Sequence, residues 1–175
     1  PMNNMLDLLR TRRSIRKFDA KKEVPNETLE RIIEAGHIAP SACNRQPWHF
    51  YLIRSEEARK KIWACYDREW VQGAYAYVLI TGEVDQCWTY PDGVGDTSLY
   101  TDCAIATTSM MLQSWSEGVG TLWICNFDRP KCCELFGLDV NARRPISILA
   151  IGYPEVDPNT LPFKRKELDE VLTEL

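Results

Sequence analysis

Four short apolar runs constrain this chain most: "WHFYLI" at 48–53, "AYAYVLIT" at 74–81, "TLWICN" at 121–126 and "ISILAIGY" at 146–153. Each has strand length, is rich in β-branched or aromatic residues and holds no charged side chain, so each reads as a buried strand. A sheet made of such strands needs cover on both faces, and the segments between them must supply it. With 175 residues, 45% of them hydrophobic, the chain is sized for one domain, 1–175, with a real core.

The cover is helical. "NNMLDLLRTRR" offers Asn3 or Asn4 as a cap and Met5, Leu6, Leu8 and Leu9 as an apolar face. In "VPNETLERIIEAGHIAP", Pro25 and Asn26 set a start, Leu29, Ile32, Ile33 and Gly36 recur at helical spacing, and Pro40 forbids continuation. Ser55 can cap a helix after the first strand. The longest helix runs from about Ser98 to Glu117 and is apolar on more than one side, which places it in the middle of the molecule. Asp128 caps a short helix with Pro130 in its first turn and Gly137 near its end. Residues 83–98, with Pro91, Gly93 and Gly95, form a loop and the best lid candidate. Gly82 closes the second strand, and after Pro154 the chain is extended until a last helical turn or two in "KELDEVL". The expected fold is α+β: a three-layer α/β/α sandwich around a small mixed, mainly antiparallel sheet.

No run reaches the roughly 18 to 20 apolar residues that span a bilayer, and charged residues stand where a signal peptide would be apolar. The expectation is a cytoplasmic protein that engages no membrane. Pro1, ahead of Met2, takes no part in the argument. The seven cysteines form no CxxC pair and have only His37 and His49 for company, so no metal site is expected and the thiols read as reduced, small hydrophobes. A nucleophilic Cys43 beside His37 or His49 is the competing reading.

Charge is distributed unevenly. The first 22 residues hold seven Lys/Arg against two Asp/Glu in a chain of net charge −4, and Arg12, Arg13, Arg16 and Lys17 lie within six positions of one another. Three roles suit such a cluster. It can sit in water at a helix C-terminus, complementing the macrodipole. It can bind nucleic acid, which a pI near 5.3 and the lack of a basic stripe or aromatic platform disfavour. It can also grip one phosphate, with arginine forks and the Ser14 hydroxyl each giving a charge-assisted bond of roughly 1.5 to 3 kcal/mol. A second stretch, "APSACNRQPWHF" at 39–50, holds the polar groups of Ser41, Asn44 and Gln46 between Pro40 and Pro47, a stiff loop suited to meeting a planar heterocycle.

With "RRSIRKF" at 12–18, "APSACNRQPWHF" at 39–50, "EGVGTLWI" at 117–124 and "PFKRKELDEV" at 162–171, in that order over nearly the whole chain, the sequence resembles the FMN-dependent nitroreductase family. The resemblance implies a homodimer with one FMN in each of two interface clefts. Arg12, Arg13, Ser14 and Arg16 are then the phosphate, ribityl and pyrimidine-edge contacts, with Arg165 and Lys164 closing on the phosphate. Pro40, Ser41, Ala42 and Asn44, with Gln46, form the loop that reaches the flavin from the partner subunit. Ile124 and Cys125 lie at the flavin edge, where a backbone N–H faces N5.

The implied activity passes electrons from NADH or NADPH through FMN to a nitroaromatic, quinone or similar small acceptor by a ping-pong mechanism. The flavin carries the chemistry, so no catalytic side chain is named; Arg16 is the candidate for tuning, because a cation at the pyrimidine edge favours the reduced ring. The alternative is an FMN-binding protein without NAD(P)H turnover, holding, sensing or consuming the flavin. Two departures stand out: Ala42 replaces a second Ser of many relatives, and Cys125–Asn126 follow the third strand where many have Gly. The chain is also short for the family, with only the 83–98 loop where larger members insert helices, so an open or differently lidded pocket is expected.

Overall fold

The computed structural model describes residues 4–92 and 96–175. Asn3, Gly93 and Gly95 lie outside the described residues. Five helices, α1 (Met5–Thr11), α2 (Asn26–His37), α3 (Glu56–Cys65), α4 (Leu99–Ser116) and α5 (Arg129–Phe136), surround four strands, β1 (Trp48–Ile53), β2 (Ala76–Glu83), β3 (Gly120–Ile124) and β4 (Arg143–Gly152). Local chemistry starts three of the helices: Asn4, Ser55 and Asp128 each accept a backbone N–H of the first turn, at 2.9, 3.2 and 2.9 Å. Gly137, in the left-handed region at φ 64°, ends α5. No helix among the described residues is long and apolar enough to cross a membrane.

The sheet order is β1-β2-β4-β3, with every strand pair antiparallel. The parallel component of the expected mixed sheet reduces, among the described residues, to a single bridge between Ser14 and Thr121. β2 and β4, in the centre, are buried along nearly their whole length, and their side chains alternate between two cores. Tyr77, Leu79, Ile148 and Ala150 face α3 and α5, while Val78, Ile80, Leu149 and Ile151 face α2 and α4. A bulge opposite Ile80 and Thr81 adds one residue to β4, so Ile146 shares the α2/α4 face with Leu149 despite the odd spacing.

Several boundaries differ from the sequence reading, each for a pairing reason. Gly82 lies inside β2, opposite Trp48 and Arg144, and the ladder continues to Glu83 and Arg143, so β4 starts three residues early. β3 stops at Ile124, opposite Ile148 at the edge of the bulge, and frees Cys125 and Asn126. The C-terminal helical turns reduce to one turn at Leu168–Glu170. Residues 88–90 lie beside residues 96–98, with the Tyr90 amide donating to the Asp96 carbonyl at 3.1 Å and the Ser98 amide to the Trp88 carbonyl at 2.8 Å. α4 is not enclosed by its own chain. Its buried face, Leu99, Cys103, Ala106 and Met110, meets α2 and the sheet, while Tyr100 and Ile105 are exposed.

Two close approaches set the positions of the layers. At Gly36 a Cβ would meet the Met110 side chain at 2.8 Å, so glycine lets α2 lie against α4. At Gly120 a Cβ would meet Ile15 Cγ1 at 2.6 Å, so glycine lets the segment after α1 lie against β3. Ile15 is fully buried and branched and has nowhere to move. Gly120→Ala should therefore cost about 1–3 kcal/mol in unfolding free energy, read as a lower urea midpoint at unchanged slope; an unchanged midpoint would show that Ile15 is loosely held.

Candidate functional site

The cationic stretch is held by its two apolar members. Ile15 and Phe18 enter the core, the Ile15 amide donates to the Thr121 carbonyl at 2.9 Å and the Asp19 amide to the Tyr153 carbonyl at 2.8 Å. Arg12, Arg13 and Arg16 are thereby excluded from the core. Upstream, the Trp115 indole N–H donates to the Thr11 hydroxyl at 2.9 Å, tying this segment to the C-terminal end of α4.

Arg12, Arg13, Ser14 and Arg16 line a pocket of about 170 Å³ that Phe163 and Arg165 complete from the C-terminal segment. The Phe163 ring lies between two guanidinium groups, with Arg13 Cζ 4.3 Å and Arg165 Cζ 4.4 Å from its centre. Arg13 is largely spent on architecture: its Nη1 donates to the carbonyls of Arg10 and Arg12 at 2.7 and 3.0 Å, and its Nε to that of Leu161 at 3.4 Å. Arg12 is the opposite case. Its Nη1 is buried without a hydrogen-bond partner, and burial together with the charges of Arg165 and Arg13 lowers its pKa. Among the described residues, no carboxylate lines this pocket. A socket of guanidinium groups with a hydroxyl, an orphaned buried donor and no counter-charge fits a phosphate. Lys164 is exposed and does not line it; its carbonyl accepts from Arg165 at 2.8 Å.

Arg16 also lines a second, larger pocket of about 530 Å³ at the end of β3. Ile124 and Cys125 stand on one wall. Tyr66, Asp67 and Arg68 form another, and nothing local in the sequence singled them out. They follow α3, and the buried Tyr77 hydroxyl positions their continuation by donating to the Val71 carbonyl while accepting from the Trp63 indole at 2.9 Å. Arg16 Cζ sits 5.9 Å from the Trp70 ring centre. Burial raises the Cys125 pKa against the pull of Arg129, which keeps it a neutral thiol.

Residues 40–46 lie elsewhere. The Ala42 amide donates to the Asp102 carboxylate at 3.0 Å, near the N-terminal end of α4, while the arginine segment is tied to Trp115 near its other end. Thirteen residues at 1.5 Å each separate these two anchor points by about 20 Å. The chain therefore does not bring Pro40, Ser41, Ala42, Asn44 and Gln46 to its own arginine pocket. The loop is rigid: the Gln46 amide donates to Ser41 Oγ and its side chain to the Asn44 carbonyl, both at 2.9 Å, and Cys43, Asn44 and Gln46 all have φ near +50°. Among the described residues no hydrogen bond joins Cys43 to His37 or His49, and no group of His, Cys, Asp and Glu can hold a metal ion.

A nitroreductase family protein from Clostridium difficile 630 superimposes with a TM-score of 0.88 at 30% identity, covering 97% of each chain. An FMN complex from Desulfovibrio desulfuricans, described as a "putative nitroreductase", does so with a TM-score of 0.82 at 27% identity, over 100% of this chain and 98% of that one. A protein of Archaeoglobus fulgidus named "Putative NADH dehydrogenase/NAD(P)H nitroreductase" is 30% identical over 159 residues, 88% of this chain and 87% of the relative. The model of the nitroreductase family matches residues 9–65 and 62–153, and the chain belongs to that family.

Proposed function

We propose that the protein is an FMN-dependent oxidoreductase that takes electrons from NADH or NADPH and delivers them to a nitroaromatic, quinone or similar small acceptor, acting as a homodimer. The observation that carries the reading is the buried, unpartnered Arg12 Nη1 in a carboxylate-free socket that shares Arg16 with the lining of the larger pocket. When bound, FMN supplies hydride acceptance and two-electron transfer.

The residues divide the remaining work. Arg12 and Arg165 hold the phosphate, Ser14 adds a hydroxyl, and Arg13 braces Phe163 beneath them. Arg16 keeps a positive charge where the two pockets meet, at the pyrimidine edge of the ring, and Ile124 and Cys125 border its reacting edge. No side chain is assigned a proton, because solvent reaches so open a pocket. The 40–46 loop is about 20 Å along α4 from its own chain's socket, so its role at the flavin requires a second copy. The exposed Met5, Leu6 and Leu9 on α1 and Ile105 on α4 give that copy an apolar surface to cover.

Arg12→Ala and Arg165→Ala should each weaken FMN about ten- to hundredfold and riboflavin much less, since riboflavin has no phosphate to lose. Titration by flavin fluorescence checks this, and equal losses for both flavins would remove the arginines from the phosphate site. Mixing an inactive Arg16 variant with an inactive Asn44 variant should regenerate activity as subunits exchange, because each mixed dimer has one intact cleft. A monomer in sedimentation that keeps its FMN would defeat the shared cleft. Under argon, NADH or NADPH should bleach the bound flavin rapidly, and initial rates at several acceptor concentrations should give parallel double-reciprocal lines. Absent bleaching would favour a protein that holds the flavin without turnover, and intersecting lines would separate donor and acceptor sites.

A further inference from the structure

One thiol in the lining of the larger pocket and a second buried in the core near it take no part in the proposed electron transfer. Cys65 is the last residue of α3, 4% exposed, and lines that pocket; Cys132 is on α5 and fully buried. One residue clamps them together. The Asp128 amide donates to the Cys65 carbonyl and the Cys132 amide to the Asp128 carbonyl, both at 2.9 Å, so the end of α3 and the start of α5 share a single backbone link. Both side chains enter the same core, beneath Ile62, Ile124 and Phe127.

The two thiols influence one another, which lowers the pKa of Cys65 despite its burial and raises that of Cys132 above the ordinary thiol range. The pair is also placed asymmetrically, with Cys65 in the pocket lining and Cys132 fully buried away from it. The other cysteines lack this arrangement. Cys103 donates to the Thr81 carbonyl, and burial pushes its pKa up to about 12, while Cys87 donates to the Val84 carbonyl at 3.2 Å.

We propose that Cys65 and Cys132 form a redox pair that a small hydroperoxide closes into a disulfide, Cys65 reacting first from the pocket and Cys132 resolving it. In the first step the Cys65 thiolate attacks the terminal, hydrogen-bearing oxygen of the hydroperoxide, the O–O bond breaks, and the leaving alkoxide or hydroxide takes up a proton, leaving Cys65 as a sulfenic acid. In the second, the Cys132 sulfur displaces hydroxide from Cys65, and the thiol proton of Cys132 leaves with it as water. Overall, two thiols are oxidised by two electrons, and the hydroperoxide is reduced to water and an alcohol, or to two waters for hydrogen peroxide. Closure fixes the last turn of α3 against α5, directly beneath Tyr66 and Asp67 on the pocket wall, and a dithiol reductant reopens it. The inference goes beyond the proposed electron transfer and uses only its pocket.

The test treats the FMN-loaded protein at pH 7 with one to ten equivalents of hydrogen peroxide. Remaining thiols are blocked with iodoacetamide in denaturant, and the digest is mapped by mass spectrometry without reduction. The expected result is a peptide joining Cys65 to Cys132, with two of the seven thiols lost together and restored by dithiothreitol. Cys132→Ser should leave Cys65 as a sulfenic acid that dimedone captures, whereas Cys65→Ser should leave Cys132 reduced. The wild-type map needs neither variant, so it decides the matter even if one fails to fold. Recovery of both Cys65 and Cys132 as alkylated peptides, whatever happens to Cys43 and Cys125, overturns the proposal.

Discussion

Guanidinium groups gathered in one small pocket repel one another, and the segment that carries three of them stays in place because Ile15 and Phe18 are buried on either side of Arg16. Full burial of a large apolar side chain is worth about 1.5–3 kcal/mol, comparable to the cost of leaving one buried donor unpaired. The Ile15 amide on the Thr121 carbonyl converts that hydrophobic anchorage into a fixed register against β3. The backbone that carries the arginines is therefore positioned by the sheet, and the socket is formed before anything occupies it. Gly120, by carrying no side chain, is what allows the contact to be so close.

The same logic explains why two pockets meet at Arg16. β3 ends where its ladder with β4 reaches the bulge, and the residues it releases turn into the wall of the larger pocket. The bulge preserves two apolar faces on a strand whose ends must do different things: five residues pair with β3, while Arg143–Pro145 run on beside β2 alone. Arg129 uses the uncovered stretch, its guanidinium donating to the carbonyls of Pro145 and Ile146 at 3.2 and 3.1 Å. α5 is thus tied to β4 at the place where β3 no longer covers it.

What the sequence made legible was local. Asn4, Ser55, Asp128 and Gly137 act through hydrogen bonds or backbone angles within a few positions of themselves, and the apolar runs found their strands to within a few residues. Arg12 and Arg165, 153 positions apart, were linked by resemblance and brought together by the fold. Long-range pairing hid the rest. The bulge at Ile146 depends on β2, the placement of the chain just after Tyr66–Arg68 depends on Tyr77, and one of the three backbone carbonyls that hold Arg13, that of Leu161, depends on where the C-terminal segment crosses it. In sequence α4 reads as apolar on more than one side and as central. It does pack against α2 and the sheet, but its outward side is a mixed one, with Thr101 and Thr108 exposed beside Tyr100 and Ile105, because a set of apolar residues does not say which of them face the core.

The loop between Pro40 and Pro47 carries a different lesson. Three of its non-glycine residues occupy the left-handed region, each at a cost of order 1 kcal/mol, and its polar groups are already bonded to one another. A flexible loop of the same composition would surrender about 1–2 kcal/mol of backbone entropy per residue on being immobilised by whatever surface it meets. Here that loss has been incurred during folding. Substituting glycine at Cys43, Asn44 or Gln46 would relax the backbone and stabilise the isolated loop, yet each relaxation would return a degree of freedom that any surface the loop met would have to remove again. Strain in the folded loop and its readiness to be held in one shape have the same backbone origin.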